Sequence, residues 1–275
     1  MRAAYLAVQE LEDADESDDA GPVWHDAKVA EMKSLVLEHD VWETESLPSG
    51  RTAISTKWVV KRKEVPTPRL KARFTPRGFS QLPGVDYQET FAPVAKLVTL
   101  RIFLSLVSIL SLCTWQLDLK TAFLNADLEE EIYCQPVYDH FYILKSLFNV
   151  ITDPSGKSRI AKQLRDLRRG CVLRMKKACY GLKQAPRAWW KKLHQWLLDN
   201  GFVPNKSDVC LYVLHLSGGE YILLLLYVDD ILLAASNASV LRTYVQKIVS
   251  TFRISSEGQL ESYLGITIRQ DAYNL

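Results

Sequence analysis

The stretch YILLLLYVDDILLAA, residues 221–235, joins a long apolar run to two adjacent carboxylates. Apolar runs of this length, 221–228 and 231–235, are typical of buried β-strands, and Asp229 and Asp230 lie where a tight turn would connect them. Burying two charges is costly unless a cation meets them. The stretch therefore predicts either an ordinary turn, in which Asp is a favoured residue, or a site for divalent metal ions.

The composition predicts a folded protein of one or two domains with a basic surface. The chain has 275 residues, of which 48% are hydrophobic and 24% are charged, and its net charge is +2. Residues 10–19 hold seven acids, so we expect a disordered acidic head over residues 1–22. The chain beyond residue 19 holds 33 Lys and Arg against 25 Asp and Glu, which suits a polyanionic partner.

Several classes of protein are excluded by the sequence. The five cysteines form no CxxC pair and the five histidines no HExxH motif, which argues against a zinc site or a disulfide framework. The N-terminus lacks the apolar region of a secretory signal. The apolar segment 102–113 has only twelve residues, whereas a bilayer requires about 20. We therefore expect an intracellular protein without a membrane segment.

The order of the predicted elements indicates an α+β fold with a split βαβ (ferredoxin-like) sheet and helices on one face. A basic hairpin is predicted from KWVVKRK (57–63) and RLKARFT (69–75), although those cations also suit a solvated surface. Segment 137–170 does not fit this scheme: it contains a turn-like 153–156 and a basic tract that we expect to form an exposed helix. The remaining predicted helices are 24–39, 97–113, 186–200 and 238–252, and the strands are 114–119, 210–216, 221–228, 231–235 and 263–268.

A third carboxylate strengthens the metal interpretation. Asp118 ends the apolar strand TWQLDL (114–119), so we expect Asp118, Asp229 and Asp230 to converge at one end of one sheet. Three carboxylates with oxygen-only ligation match two Mg²⁺ ions. Such a pair activates a 3′-hydroxyl and stabilises a pyrophosphate leaving group, which predicts phosphoryl-transfer chemistry.

Long motifs identify a family resemblance. In chain order the motifs are WVVKRK, RLKARFTPRGFSQLPGVDYQETFAPVAKLVTLR, LDLKTAFLNADLEEEIYCQ, ACYGLKQAPRAWW, LLLLYVDDILL and YLGI. Together they resemble the reverse transcriptase of copia-type LTR retrotransposons, from about Trp24 to Arg269. The resemblance implies a right-hand polymerase palm and fingers within residues 23–272, with 137–170 as an atypical insertion and the thumb missing from this sequence. The implied fingers are about 41–113, and the palm is about 114–136 and 178–272.

The same resemblance implies the roles of the metal-site residues. Asp118 resembles the first metal-binding aspartate, and Asp229 and Asp230 resemble the pair at the catalytic hairpin. Leu119 is expected to offer its backbone carbonyl to the nucleotide-bound metal. The implied cofactor is a pair of Mg²⁺ ions, for which Mn²⁺ is a possible substitute.

Four further residues resemble the deoxynucleotide-binding positions of the family. Arg73 and Lys71 resemble the cations that grip the triphosphate, and a guanidinium suits bidentate phosphate contact. Phe123 resembles the aromatic gate against a ribose 2′-hydroxyl; without the LDLKTAF context it reads as an ordinary core residue. Gln184 resembles the glutamine beside the incoming sugar, and taken alone it reads as a solvent-facing residue at a helix start.

The expected partners are deoxynucleotides and an RNA or DNA template with its primer. Tyr227 is expected near the primer terminus, and Tyr263, Leu264 and Gly265 resemble a primer-grip turn. Thirteen cations between residues 157 and 192, against one acid, either follow a nucleic-acid backbone or form a solvated surface.

The resemblance implies an RNA-directed DNA polymerase core. The competing interpretation is a truncated, catalytically silent relic of a retroelement that at most binds nucleic acid. An intact set of three aspartates favours the first interpretation, and the missing thumb favours the second.

Overall fold

The computed structural model contains two compact units. One comprises residues 92–122 and those from 190 onward, and the other comprises residues up to 91 together with 123–189. The predicted bounds of fingers and palm differ from these units and stay predictions. The structure describes residues 21–63, 69–119, 121–252, 254–258, 260, 262–263 and 266–268.

The described part of the chain contains helices and strands in the mixed order that the sequence predicts. The α-helices are α1 (His25–Lys33), α2 (Leu97–Ile109), α3 (His140–Val150), α4 (Pro154–Arg168), α5 (Ala185–Asp199) and α6 (Ala238–Thr251). The strands are β1 (Trp42–Glu45), β2 (Thr56–Lys63), β3 (Arg69–Pro76), β4 (Cys113–Leu119), β5 (Asp127–Cys134), β6 (Val172–Lys177), β7 (Val203–Pro204), β8 (Leu211–His215), β9 (Tyr221–Tyr227), β10 (Asp230–Ala235), β11 (Ile254–Gly258), β12 (Ser262–Tyr263) and β13 (Ile266–Thr267). Among these helices none combines the length and apolar character that a bilayer crossing requires.

The first unit is built on a six-stranded antiparallel sheet in the order β11-β4-β10-β9-β8-β7. The predicted meander β8-β9-β10 is confirmed. Residues 222–226 of β9 are all buried. On one face Phe103 of α2 belongs to the same core cluster as Leu225 and Leu232, while Leu224, which points to the other face, is equally buried.

Both faces of this sheet are therefore covered at β9, and the arrangement with helices on one face stays a prediction. Because β9 carries an unbroken apolar run rather than an alternating one, it requires cover on both faces. Helix α2 supplies part of that cover, and α6 lies against β4 and β10.

The last strand of this sheet differs from the prediction. The sequence predicted one strand over 263–268, but the strand that pairs with β4 after α6 is β11. Strand β11 reads ISSEG and lacks an apolar run, which an edge strand tolerates because it pairs on one side only. Residues 262–263 and 266–267 form the short pair β12-β13 instead.

The second unit contains a three-stranded sheet, β1-β6-β5, and a separate hairpin, β2-β3. The hairpin confirms the predicted basic hairpin, with Lys57 opposite Thr75 at one end and Lys63 opposite Arg69 at the other. Helix α1 lies against β3 and α3. The predicted helix 24–39 is present, since 3₁₀ and π turns extend α1 to residues 22–38.

The segment 137–170 contains two helices, α3 and α4, which pack against each other, and its interpretation as an atypical insertion stays a prediction. The turn-like sequence at 153–156 is the start of α4: Asp153 is the N-cap, and its carboxylate accepts a hydrogen bond from the Gly156 N–H at 2.6 Å. Pro154 then occupies the first helical turn, where a missing N–H costs nothing. The predicted basic helix is confirmed.

Two glycines bring the end of β3 against the loop that precedes α5. A Cβ on Gly78 would lie 2.0 Å from the Gly181 carbonyl oxygen, and a Cβ on Gly181 would lie 2.1 Å from the Pro76 carbonyl oxygen. Gly181 also has φ of +97°, which other residues rarely adopt. This backbone contact fixes the distance between β3 and the loop.

We predict that Gly181→Ala destabilises the protein by at least about 3 kcal/mol. The backbone conformation costs about 1–2 kcal/mol for an L-residue, and the clash with a backbone oxygen adds the cost of overpacking. Urea unfolding of wild type and variant measures the difference.

Gly170→Ala is the matched control. Gly170 has φ of +78°, and a Cβ added there would have no atom within 4 Å, so this position bears the conformational cost alone. Equal losses of stability in the two variants would show that the close approach at Gly181 contributes nothing.

Candidate active site

The two carboxylates at 229–230 lie at the tip of the hairpin β9-β10. Tyr227 pairs with Asp230, so Val228 and Asp229 form a two-residue loop. Val228 has φ of +57°, in the left-handed region that is unfavourable for a β-branched side chain. The tip is therefore a strained turn held between two buried strands.

Strand pairing brings the third carboxylate to this tip. Strand β10 runs antiparallel to β4 with Asp230 opposite Asp118, and the Leu119 N–H donates a hydrogen bond to the Asp229 carbonyl oxygen at 3.0 Å. Residues opposite each other in such a pair have Cβ atoms about 4.5–5.5 Å apart. The predicted convergence of Asp118, Asp229 and Asp230 at one end of one sheet is confirmed.

Full ionisation of the three carboxyl groups at the tip is electrostatically unfavourable. Burial, followed by the charges of Asp229 and Asp118, raises the pKa of the Asp230 carboxyl to about 7, while a hydrogen bond with the Gln116 side chain opposes the shift. Burial and the Asp230 carboxylate also raise the pKa of Tyr227. A proton or a cation at the tip would relieve this repulsion.

The donor chemistry suits a hard divalent cation, because three carboxylates offer only oxygen. The side chains are nevertheless not gathered into a finished metal site: within the described residues, no group of three His, Cys, Asp or Glu is arranged to hold a metal ion. Asp118, Asp229 and Asp230 are thus a coupled carboxylate set whose side chains have to rearrange to share an ion.

In the second unit, Tyr180 connects two of the predicted deoxynucleotide-binding residues. Its ring lies 4.6 Å from the Phe123 ring, centroid to centroid, and the Arg73 guanidinium lies over it at 4.7 Å. Phe123 is 7% exposed, which fits a core residue as well as a gate. The sequence interpretation overlooked Tyr180, although it lies inside the quoted motif ACYGLKQAPRAWW.

Gln184 is buried within a network of hydrogen bonds. It is 2% exposed, so its interpretation as a solvent-facing residue is wrong. Its amide oxygen accepts from Gln81 Nε2 at 3.0 Å, and its Nε2 donates to the Asp86 carbonyl oxygen at 2.9 Å and to Glu130 Oε2 at 3.4 Å. Contact with a sugar stays a prediction, and it requires Gln184 to exchange one of these bonds.

The other predicted site residues are placed less completely. Lys71 lies on β3 opposite Lys61, so two cations face each other across the hairpin. Tyr263 belongs to β12, and Leu264 and Gly265 lie outside the described residues. The primer-grip role of these three residues stays a prediction.

Comparison with known proteins matches the chain to one family model. The model is described as reverse transcriptase (RNA-dependent DNA polymerase), and it matches residues 39–141 and 151–275. The retrovirus-related Pol polyprotein from transposon TNT 1-94 of Nicotiana tabacum is 34% identical, over 86% of this chain and 16% of the polyprotein. Those from transposons RE1 and RE2 of Arabidopsis thaliana are 32% and 33% identical over 90% of this chain. The chain spans 15–16% of the length of these relatives.

We predict that Asp230→Asn stabilises the protein at pH 8 in the absence of divalent ions. Because the folded-state pKa is raised, the folded protein binds the proton more tightly than the unfolded chain, so stability falls as the pH rises from about 4 to about 7. An amide removes that loss, and we expect a gain of at least about 1 kcal/mol at pH 8 and none at pH 4. Thermal unfolding across this range measures it.

Asp199→Asn provides the control. Asp199 is exposed on α5 and accepts a hydrogen bond from Gln195 Nε2, which an asparagine oxygen retains. A pH-independent effect of Asp230→Asn, or an equal gain from Asp199→Asn, would contradict the assignment of the repulsion to the hairpin tip.

Proposed function

We propose that this chain, which belongs to the reverse transcriptase (RNA-dependent DNA polymerase) family and resembles the copia-type retrotransposon Pol polyproteins, is an RNA-directed DNA polymerase core. The observation that carries the proposal is the pairing of Asp230 with Asp118 beside Asp229 at a hairpin tip. The proposed reaction transfers a deoxynucleotidyl group to a primer 3′-hydroxyl and releases pyrophosphate. In this proposal the unit with the six-stranded sheet carries the palm, and the β2-β3 hairpin belongs to the fingers.

The proposed roles of the tip follow from its carboxylates. Two divalent cations held by Asp118, Asp229, Asp230 and the Leu119 carbonyl would activate the 3′-hydroxyl and neutralise the leaving group. The residues at the tip have to be ionised to do so, and the raised pKa of Asp230 means that this carboxylate gives up its proton most readily when a cation replaces it. Tyr227, paired with Asp230, is proposed to lie near the primer terminus.

The proposed nucleotide contacts are organised around Tyr180. A guanidinium held over its ring keeps its planar donors oriented for phosphate, which suits Arg73 to the triphosphate. Phe123 packs against the same ring and is proposed to exclude a ribose 2′-hydroxyl. Tyr180 therefore links phosphate binding to sugar discrimination, with Lys71 as a second phosphate cation and Gln184 beside the sugar.

The central test is primer extension on an RNA template with deoxynucleotides and Mg²⁺. We expect wild type to extend the primer and Asp229→Asn to lose at least about a hundredfold in rate, since electrostatic stabilisation of this kind is worth about 10²–10³. Extension should stop when the divalent ion is chelated.

Metal binding has a separate readout. Mg²⁺ or Mn²⁺ should raise the melting temperature of wild type more than that of Asp229→Asn, because an ion that binds only the folded state stabilises it. If wild type binds an oligonucleotide but neither extends a primer nor gains stability from Mg²⁺, the chain is the catalytically silent relic.

The gate proposal predicts that Phe123→Val increases ribonucleotide incorporation relative to deoxynucleotide incorporation by about tenfold or more. The smaller side chain leaves room for a 2′-hydroxyl, whereas deoxynucleotides lose only packing. Single-nucleotide incorporation kinetics with each sugar measure the ratio.

Tyr180→Phe is the companion variant. It retains the ring against Phe123 and Arg73 and should keep the wild-type sugar preference. If Phe123→Val retains the wild-type preference for deoxynucleotides over ribonucleotides, Phe123 is an ordinary core residue and not a gate.

A further inference from the structure

Helices α3 and α4 present a surface that neither the fold nor the proposed active site uses. The two helices pack against each other, and α3 also lies against α1. Their buried faces include Leu144 and Leu147 on α3 and Ile160 on α4. The family model leaves residues 142–150 unmatched, so most of α3 lies outside the family pattern.

Part of the basic tract in α4 is bound to the rest of its unit. Arg159 Nη1 donates to the Val36 carbonyl oxygen at 2.8 Å and lies 3.4 Å from the Asp40 carboxylate. Lys162 lies 3.8 Å from Asp166, which also accepts a hydrogen bond from the Thr44 hydroxyl at 2.6 Å. Arg159 and Lys162 are therefore engaged in contacts within their own unit.

The remaining cations of the pair are Lys145, Lys157, Arg165 and Arg168. In the part of the chain that the structure describes, no carboxylate forms an ion pair with any of the four. Lys145, Arg165 and Arg168 are exposed, and Lys157 is half-buried. Like charges grouped on one surface repel, so a polyanion placed over them would be stabilising.

Aromatic rings lie near these cations where α3 and α4 pack together. We call the surface that carries these rings and cations the seam; its residues are Phe141, Tyr142, Lys145, Phe148, Lys157, Arg165 and Arg168. The Arg168 guanidinium is 5.0 Å from the centre of the Phe141 ring, and Lys157 Nζ is 5.5 Å from the centre of the Phe148 ring. Tyr142, 69% exposed, contacts Phe141 edge to face with centroids 5.9 Å apart. Two cation–ring contacts therefore join α3 to α4, and the exposed ring of Tyr142 lies beside one of them.

We propose that this seam binds a single strand of nucleic acid, as a site separate from the polymerase centre. Cations that follow a phosphate backbone, combined with accessible rings on which bases stack, are the features that single-strand binding uses. From Lys157 to Arg168 the helix advances about 16.5 Å, which is long enough to span several nucleotides of a single strand. A base can stack on the exposed ring of Tyr142 only if it is unpaired, so a single strand fits this surface better than a duplex.

The proposal shares only its ligand class with the proposed function. Strand binding at the seam needs neither a divalent ion nor a primer end. The two proposals can therefore fail separately. Asp229→Asn should lose primer extension and retain binding at the seam, whereas variants of the seam should lose that binding and retain catalysis.

The test is the affinity of the full chain for a short fluorescein-labelled oligouridylate, measured by anisotropy without divalent ions and as a function of salt. We expect the triple variant Lys145→Gln, Arg165→Gln, Arg168→Gln to bind at least about tenfold more weakly. Its plot of log K against log salt should be shallower by about 2, because each phosphate contact contributes about 0.7 on a single strand.

The matched control is Arg101→Gln, Lys206→Gln, Arg242→Gln, which removes the same charge from exposed cations elsewhere. We expect its affinity to change by less than about twofold. Both triple variants should melt as wild type does, since the substituted side chains are exposed. Equal weakening in the two triple variants, or none in the first, would overturn the proposal.

The aromatic part of the seam has its own variants. Tyr142→Ala should weaken oligouridylate binding by about fivefold or more through lost stacking, and Tyr142→Phe should bind as wild type. Retained affinity in Tyr142→Ala would contradict stacking at this position. Oligonucleotide binding that survives the first triple variant while binding to anionic lipid vesicles is lost would identify a membrane surface and reject the nucleic-acid proposal.

Discussion

The register of β10 against β4 is the constraint on which the candidate site depends. Residues 231–235 of β10 are fully buried, and they alternate between the two covered faces of the sheet. A slip of one residue would send each side chain to the opposite face, so packing on both faces specifies the register. That register places Asp230 opposite Asp118. Apolar packing thus holds together two carboxylates that repel each other.

The same packing supports two locally unfavourable features of the hairpin tip. Val228 occupies the left-handed region, and Asp230 is a carboxyl whose pKa is raised to about 7. Strain of this kind persists only where the surrounding structure over-determines it, and it concentrates at functional sites. Leu223, Leu225 and Leu232 belong to a buried core cluster that stabilises the two strands beside the tip.

The parts of the fold that could be predicted are those that residue patterns encode locally. The apolar runs at 221–228 and 231–235 specify β9 and β10, and Asn200-Gly201 marks the end of α5, where Gly201 has φ of +85°. Strand β11 could not be found in this way, because an edge strand needs little apolar content and its partner β4 is more than 130 residues earlier. The network around Gln184 was likewise beyond pattern reasoning, since Gln81 and Glu130 meet it only in the folded chain.

Helix α3, most of which the family model leaves unmatched, is attached through specific contacts to α4 and to the rest of its unit. The anchors of the two helices are polar rather than only apolar: Lys28 donates to Asp139 at 3.0 Å, and Trp42 Nε1 donates to Gln163 at 3.4 Å. Buried polar groups need specific partners, so such bonds fix the orientation of the pair more strictly than apolar contact does. A fixed orientation keeps the same face of each helix in solvent. The cations and rings of the seam can therefore act together as one surface.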